Sequence, residues 1–260
     1  MQHQAYDIFL EAGQSNAEGS GIGPVTTEYV PNERILYLRP SVDVQVVNNW
    51  LVINYDDVPF IYEIAAERPS GDGTVGDFAL TFAEDYIRSG RLAEGRKVLI
   101  IRAAIGGTGF TRKHWGMDDP LYKKMIELTD FALAQNPENR LMGFLWHQGE
   151  HDADNFMPPE EYRSLMSALV DSVKARYDKT LPFICGGFAN EWVQSCPEKG
   201  EPIMQVLREL AAAQNGAYVE TADLPSNNQT VHNNDVIHFS RESLHKLGRR
   251  YFEAYQQLTR

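Results

Sequence analysis

Four short apolar runs constrain this chain more than any other feature. They are YDIFL (6–10), KVLIIRAA (97–104), LMGFLWH (141–147) and LPFICGGF (181–188). Each is β-branched or aromatic and apolar on both faces, the pattern of a parallel sheet covered by helices. RILYLRP (34–40) and AYVETADL (217–224) read as further strands. Helical patterns lie between them. Asp119 and Pro120 provide an N-cap and first turn for a helix whose Leu121, Met125, Leu128 and Ala132 share one face. The segment 160–177 repeats the period with Tyr162, Leu165, Leu169 and Val173, and Pro202 opens a third helix carrying Ile203, Val206, Leu207 and Leu210. Ser240 caps the last, with Leu244, Leu247, Tyr251, Phe252 and Tyr255 as its buried stripe. This alternation predicts a three-layer α/β/α sandwich with a mostly parallel sheet. Residues 40–75 are expected to form an irregular excursion beside the sheet, with Trp50 buried. No repeat, low-complexity tract or linker interrupts the pattern, so 1–260 reads as a single domain.

In open parallel sheets, sites form at the carboxyl ends of strands. Polar clusters stand at those ends here. The first run leads into Gly13-Gln14-Ser15-Asn16, the second into Ile105-Gly106-Gly107-Thr108, and the third into His147-Gln148-Gly149-Glu150. Just before the final helix, Asp235 precedes His238 by three positions. An acyl-transfer site needs these groups. A serine hydroxyl is a weak nucleophile until a base takes its proton. His238 can do so through one ring nitrogen while Asp235 accepts from the other and fixes the tautomer. The oxyanion of the tetrahedral intermediate needs aimed donors, for which the backbone N–H groups of Ser15 and Gly107 and the side-chain amide of Gln148 are candidates.

The motifs AGQSNAEG, GGTGF, WHQGEHD and DVIHFS, in this order and over essentially the whole chain, resemble those of the SGNH hydrolase superfamily. More narrowly they resemble its carbohydrate O-acetylesterases, the sialate O-acetylesterase domain and carbohydrate esterase family six with its acetyl xylan esterases. The resemblance implies a flavodoxin-like α/β sandwich and a serine esterase removing O-acetyl groups from a carbohydrate through an acyl-enzyme, without metal or other cofactor. It implies Ser15 as nucleophile, His238 as base, Asp235 as its partner, and Ser15, Gly107 and Gln148 as the oxyanion hole. The wider superfamily has asparagine where Gln148 stands, and some members of the branch orient the histidine with the glutamate of the third motif. Glu150 is therefore a rival to Asp235, which the Asp-x-x-His spacing favours.

Other readings are weaker. HQGEH fits an inverted zinc motif, but that chemistry needs both histidines on one helical face, and Gly149 after a strand argues against a helix. His147 is expected to pack at the strand end, with His151 at the rim. Gly19, Gly21 and Gly23 come too late after the first strand for a dinucleotide fingerprint, and Pro24 interrupts them. Arg112, Trp115, Glu191 and Trp192 are candidates for a sugar subsite. The triplet beginning at Asn228 is read as a loop rather than a glycosylation site. A lipid or thioester hydrolase on the same fold, and a carbohydrate-binding protein without turnover, remain as rivals.

The formal charge of -12 argues against nucleic acid or an anionic membrane as partner. It also argues against an anionic substrate such as a sialate, unless a local cation such as Arg112 receives it. Cys185 and Cys196 are too few for a disulfide framework, and Cys185 reads as a buried thiol. No signal-like or membrane-length apolar segment is present in the sequence, so the cytoplasm is the expected compartment, or the exterior if a signal precedes these residues. Oligomeric state and the identity of the sugar are not encoded in any of these patterns.

Overall fold

A computed structural model describes residues 4–47, 50–55, 60–71 and 73–260. Its strands are β1 (Ala5–Gly13), β2 (Ile35–Arg39), β3 (Val42–Val47), β4 (Trp50–Tyr55), β5 (Ile61–Ile64), β6 (Arg68–Ser70), β7 (Gly73–Val75), β8 (Arg96–Arg102), β9 (Arg140–His147), β10 (Phe183–Gly186) and β11 (Ala217–Val219). Its helices are α1 (Ser15–Glu18), α2 (Phe78–Arg88), α3 (Pro120–Ala134), α4 (Glu150–Asp154), α5 (Pro159–Arg176), α6 (Asn190–Ser195), α7 (Pro197–Ala213), α8 (Asn227–Val231) and α9 (Arg241–Leu258). The main sheet runs β11-β10-β9-β1-β8-β2-β5. All its pairings are parallel except β2 with β5, at one edge.

Strand alternation divides the core between two faces. Ile8, Leu10 and Ala12 of β1 join the cluster built with α3, α5 and α7. Phe9 points the other way, into the layer of α2 and α9, and meets Phe82, Tyr86 and Tyr255 edge-on at 4.7–5.5 Å. The expected three-layer sandwich is therefore what the chain forms. Because β1 lies between β8 and β9, the three glycine-containing loops that follow these strands meet at one edge.

Several local expectations need correction. Residues 40–75 are not irregular: they hold the antiparallel pairs β3–β4 and β6–β7 and the edge strand β5. The side chain of Trp50 lies outside the described residues. The sequence reading had no helix at 78–88, where Asp77 caps α2 by accepting the Ala79 N–H at 2.8 Å. The helix expected to start at Pro202 starts at Pro197, where a missing N–H costs nothing, and Pro202 lies inside it. Asp119 does not cap α3 through its side chain, which instead takes the Gly116 N–H at 2.7 Å. Ser240 does cap α9, accepting from Ser243 N. Both cysteines are free, with Cys185 buried. Among the described residues no helix is long and apolar enough to cross a membrane.

The layer of α2 and α9 depends on Gly248. A Cβ there would collide with the Phe78 carbonyl and the Thr81 hydroxyl of α2. Gly248→Ala is expected to lower stability by about 1–3 kcal/mol, as overpacking does. Urea unfolding should show a lower midpoint with an unchanged m-value.

Candidate active site

Where β1 ends, Gly13 takes φ +146 and passes so close under the His147 carbonyl that a Cβ would collide with it. The next N–H, of Gln14, donates to that carbonyl at 3.1 Å. Ser15 then opens the single turn of α1. Its Oγ lies 2.9 Å from His238 Nε2, and His238 Nδ1 lies 2.9 Å from each Asp235 carboxylate oxygen. With its Nδ1 proton directed at Asp235, the imidazole presents a free Nε2 lone pair to the serine hydroxyl. Burial pushes the Asp235 carboxyl up, but hydrogen bonds from His238 and Asn227 outweigh it and hold the group below its ordinary range. Asn227 Nδ2 makes its bond to Oδ2 at 2.9 Å.

The second strand-end loop supplies Gly107, at φ +70, a conformation that favours glycine. Glu18 Oε2 holds this loop by accepting the Gly106 N–H at 2.7 Å. Among the described residues, no acceptor takes the N–H of Ser15 or of Gly107.

The third loop behaves differently from expectation. Gln148 is fully buried, and its amide nitrogen donates to Asp152 Oδ2 at 2.7 Å and to the Thr108 carbonyl at 3.2 Å. Its two N–H groups are thus engaged inside the protein and are not presented as an oxyanion donor. Gln148 instead supports Gln14, whose Oε1 also accepts the His151 N–H at 3.1 Å. A backbone N–H can only donate, so the oxygen of Gln14 must face that way and its Nε2 the other. No described residue accepts from that Nε2, one position from Ser15.

Glu150 makes no hydrogen bond to His238. Its Oε1 accepts from Asn16 Nδ2 at 2.8 Å, and burial raises its carboxyl above the usual range. Asn16 also donates to the Ile237 carbonyl at 3.2 Å and accepts the Phe239 N–H at 3.1 Å, so it grips the chain on both sides of His238. Gln14, Asn16 and Asn227 escaped the sequence reading. The available signal was their setting, since Gln14 and Asn16 are amides flanking the serine between an apolar strand and the buried Ala17.

The candidate sugar contacts divide. Trp115 is fully buried, bonded to Thr108 Oγ1 at 3.1 Å and set edge-on to Trp146, so it belongs to the core. Trp192 is buried against Phe188. Glu191 accepts from Ser226 Oγ and, at 2.7 Å, from Asn228 Nδ2, anchoring the start of α8 rather than facing a ligand. Arg112 stays half-buried at the rim, close enough to His114 and His151 to add to the effect of burial in lowering both. His147 ends β9 whereas His151 belongs to the short helix α4, so the two do not form a one-turn pair, although a helix does follow Gly149.

Fold and family match together define a class, the carbohydrate esterases. The chain belongs to the family described as carbohydrate esterase, sialic acid-specific acetylesterase, whose model matches residues 5–257. It is a carbohydrate O-acetylesterase, which sets aside the lipid-hydrolase and binding-protein readings. It is 26% identical over 236 residues to the probable 9-O-acetyl-N-acetylneuraminic acid deacetylase of Escherichia coli (strain K12), covering 76% of this chain and 72% of that protein. Among solved structures, NanS is 20% identical, with 100% of this chain and 99% of that one covered at a TM-score of 0.72. The acetylxylan esterase Axe2 of Geobacillus stearothermophilus is 12% identical, with 98% and 96% covered at 0.51. Those two structures share the fold.

His147 gives this site a pH signature. Burial pushes its imidazole down to about 3, while the unfolded chain titrates near its usual value of about 6.5. Between those values the unfolded state binds the extra proton, so stability falls as pH falls through that window. The expected loss from this group is about 2 kcal/mol between pH 7 and pH 5. Urea unfolding at the two pH values should show it, and His147→Gln should flatten that part of the slope.

Proposed function

We propose that this chain removes an O-acetyl group from an acetylated sialic acid through an acyl-enzyme on Ser15. The carrying observation is the continuous path from Ser15 Oγ through His238 to Asp235, each step at 2.9 Å. Two further points support it. The E. coli relative carries a 9-O-acetyl-N-acetylneuraminic acid deacetylase name. Structures of Axe2 described as catalytic mutants replace a serine, a histidine, and an aspartate three positions before that histidine, the spacing of Asp235 and His238.

His238 Nε2 takes the Ser15 proton as Oγ attacks the acetyl carbonyl carbon. The carbonyl π pair moves to oxygen, giving a tetrahedral oxyanion held by the N–H groups of Ser15 and Gly107. The amide of Gln14 takes the place first given to Gln148 as third donor, because its oxygen is anchored and its nitrogen free. Collapse breaks the bond to the sugar oxygen, which leaves with the proton from His238. Water then repeats both steps on the acetyl-enzyme and releases acetate. Asp235 stays ionised and stabilises the imidazolium. Asn16 and Glu150 position the histidine loop, and residues 1–260 act as one domain.

Acetate release from 9-O-acetyl-N-acetylneuraminic acid tests this directly. Ser15→Ala is expected to lower kcat by about 10⁴- to 10⁶-fold with an unchanged melting temperature. Wild-type turnover in that variant would overturn the mechanism. Gln14→Glu keeps the oxygen that anchors the side chain but removes its N–H donors. Its kcat is expected to fall about 10²- to 10³-fold with little change in KM.

A further inference from the structure

In front of the carboxyl ends of β2 and β8 lies a cavity of about 300 Å³, lined by Arg39, Arg68 and Arg102 with Glu18 and Glu63 beside them. It adjoins the candidate active site through a shared residue. Glu18 lines the cavity and also holds the Gly106 N–H, and a Cβ on Gly106 would lie 3.4 Å from the Ser15 side chain. Three cations face two carboxylates in a chain whose formal charge is -12. The cavity is therefore a cationic exception on an acidic protein.

Arg102 is the unusual member. Its side chain is only 7% exposed, and it makes no hydrogen bond to any described residue. Its nearest carboxylate oxygen, Asp77 Oδ2, is 3.7 Å away and already accepts the Tyr37 hydroxyl at 2.5 Å. Asp77 is thus its near countercharge, while the neighbouring Glu11 carboxyl is raised well above the usual range by burial and then by the charge of Asp77. The guanidinium keeps its proton despite burial, because the charge of Asp77 opposes the desolvation. Nε and Nη2 are sealed from the cavity without acceptors, so Nη1 is the edge of this cavity-lining guanidinium that can meet acceptor oxygens. The two rim arginines are partly exposed. Arg39 pairs with Glu63 at 2.6 Å, and Arg68 rests on the Glu18 and Gly19 carbonyls at 3.1 and 2.9 Å.

We propose that this cavity is the subsite for the carboxylate of the acid sugar, with Arg102 as its fixed cation and Arg39 and Arg68 as its rim. The proposal rests on the acetylated sialic acid reading above. Its geometry suits such a substrate. Arg102 ends β8, next to β1, and Arg39 ends β2, one strand further, so the two cations stand about 5 and about 10 Å to the side of the serine strand at the usual strand spacing. A nine-carbon sugar acid acetylated at the end remote from its carboxylate spans two points separated in this way. Arg102, rather than the Arg112 considered from sequence, then offsets the acidic surface for an anionic substrate.

The test compares kcat/KM for 9-O-acetyl-N-acetylneuraminic acid with that for its methyl ester, in which the carboxylate is capped. The wild type is expected to favour the free acid by about 10- to 100-fold, the scale of charged hydrogen bonds. Arg102→Met should bring the ratio close to one, chiefly through KM. Should that variant fail to fold, the double change Arg39→Ala with Arg68→Ala, on the exposed rim, should lower the ratio about 10-fold or more. A ratio that stays at the wild-type value in folded variants overturns the subsite. A second arm measures inhibition of p-nitrophenyl acetate hydrolysis by N-acetylneuraminic acid and by sodium acetate. Inhibition by the sugar acid that is lost in the variants supports the proposal, whereas equal inhibition by acetate would mean the cavity takes the product instead and overturns it. A wild type that cleaves acetylated neutral sugars but not the sialate overturns the substrate reading, and the inhibition arm then decides the subsite alone.

Discussion

The contact on which the site depends is the passage of Gly13 beneath the His147 carbonyl. Only a residue without Cβ can come that close, and at φ +146 the chain turns out of the sheet immediately afterwards. The turn does three things. It seats the Gln14 N–H on the same carbonyl, points the Gln14 oxygen at the amides that begin α4, and brings Ser15 out at the sheet edge. Ser15 is thus fixed by backbone contacts between β1 and β9 before the other side chains of the candidate site take part. A loop hung only on side chains could not hold a hydroxyl to the tolerance that proton transfer requires.

Beneath that turn the protein buries far more polarity than a sheet edge needs for stability. Gln148, Glu150 and Asp152 are all fully enclosed. Asp152 accepts from the Phe110 N–H, the Thr111 N–H and the Gln148 amide, so one carboxylate joins the loop after β8 to the loop after β9. Glu150, through Asn16, joins the serine turn to the histidine loop. Buried polar groups are costly unless paired, and the bonds of Asp152 to Phe110 and Thr111 and of Asn16 to Glu150 and Ile237 link segments distant in sequence. The polarity is best understood as the means by which separate strand ends are held in one arrangement.

This division explains what could be read from the amino-acid sequence. Strands such as β1 and β9 are apolar on both faces, and that pattern is local. Ser15 and Gly107 stood out because they follow such runs, and Asp235 and His238 because of their spacing just before the last helix, with chemistry that fits together. The role of Gln148 could not be read, because an amide at a strand end looks the same whether it faces substrate or Asp152. Trp115 was misread for the same reason: proximity to a motif in sequence says nothing about which side of the loop an indole packs on. The helix α2 was hidden behind a Gly- and Asp-rich stretch whose last aspartate is its cap. The β6–β7 pair and most of β3 were hidden because their residues are largely exposed, and β4 shows the core just one partly buried face, with Ile53 and Tyr55.

The histidine comes from the far end of the chain, and its placement is tied to the last helix. Phe239, directly after His238, is buried in the layer of α2 and α9 and gives its N–H to Asn16. Ser240, the next residue, caps α9, and the following N–H, of Arg241, donates to the Ile22 carbonyl. Four consecutive residues thus face four different duties: partner of Ser15, core anchor, helix cap and loop clamp. His238 can reach Ser15 only when α9 is docked, and α9 docks only if α2 accepts Gly248 against its Phe78 carbonyl. The contact between His238 and Ser15 is in this way coupled to the packing of α9 on α2. A change in that layer should act on the alignment of His238 before it acts on any group that touches the substrate.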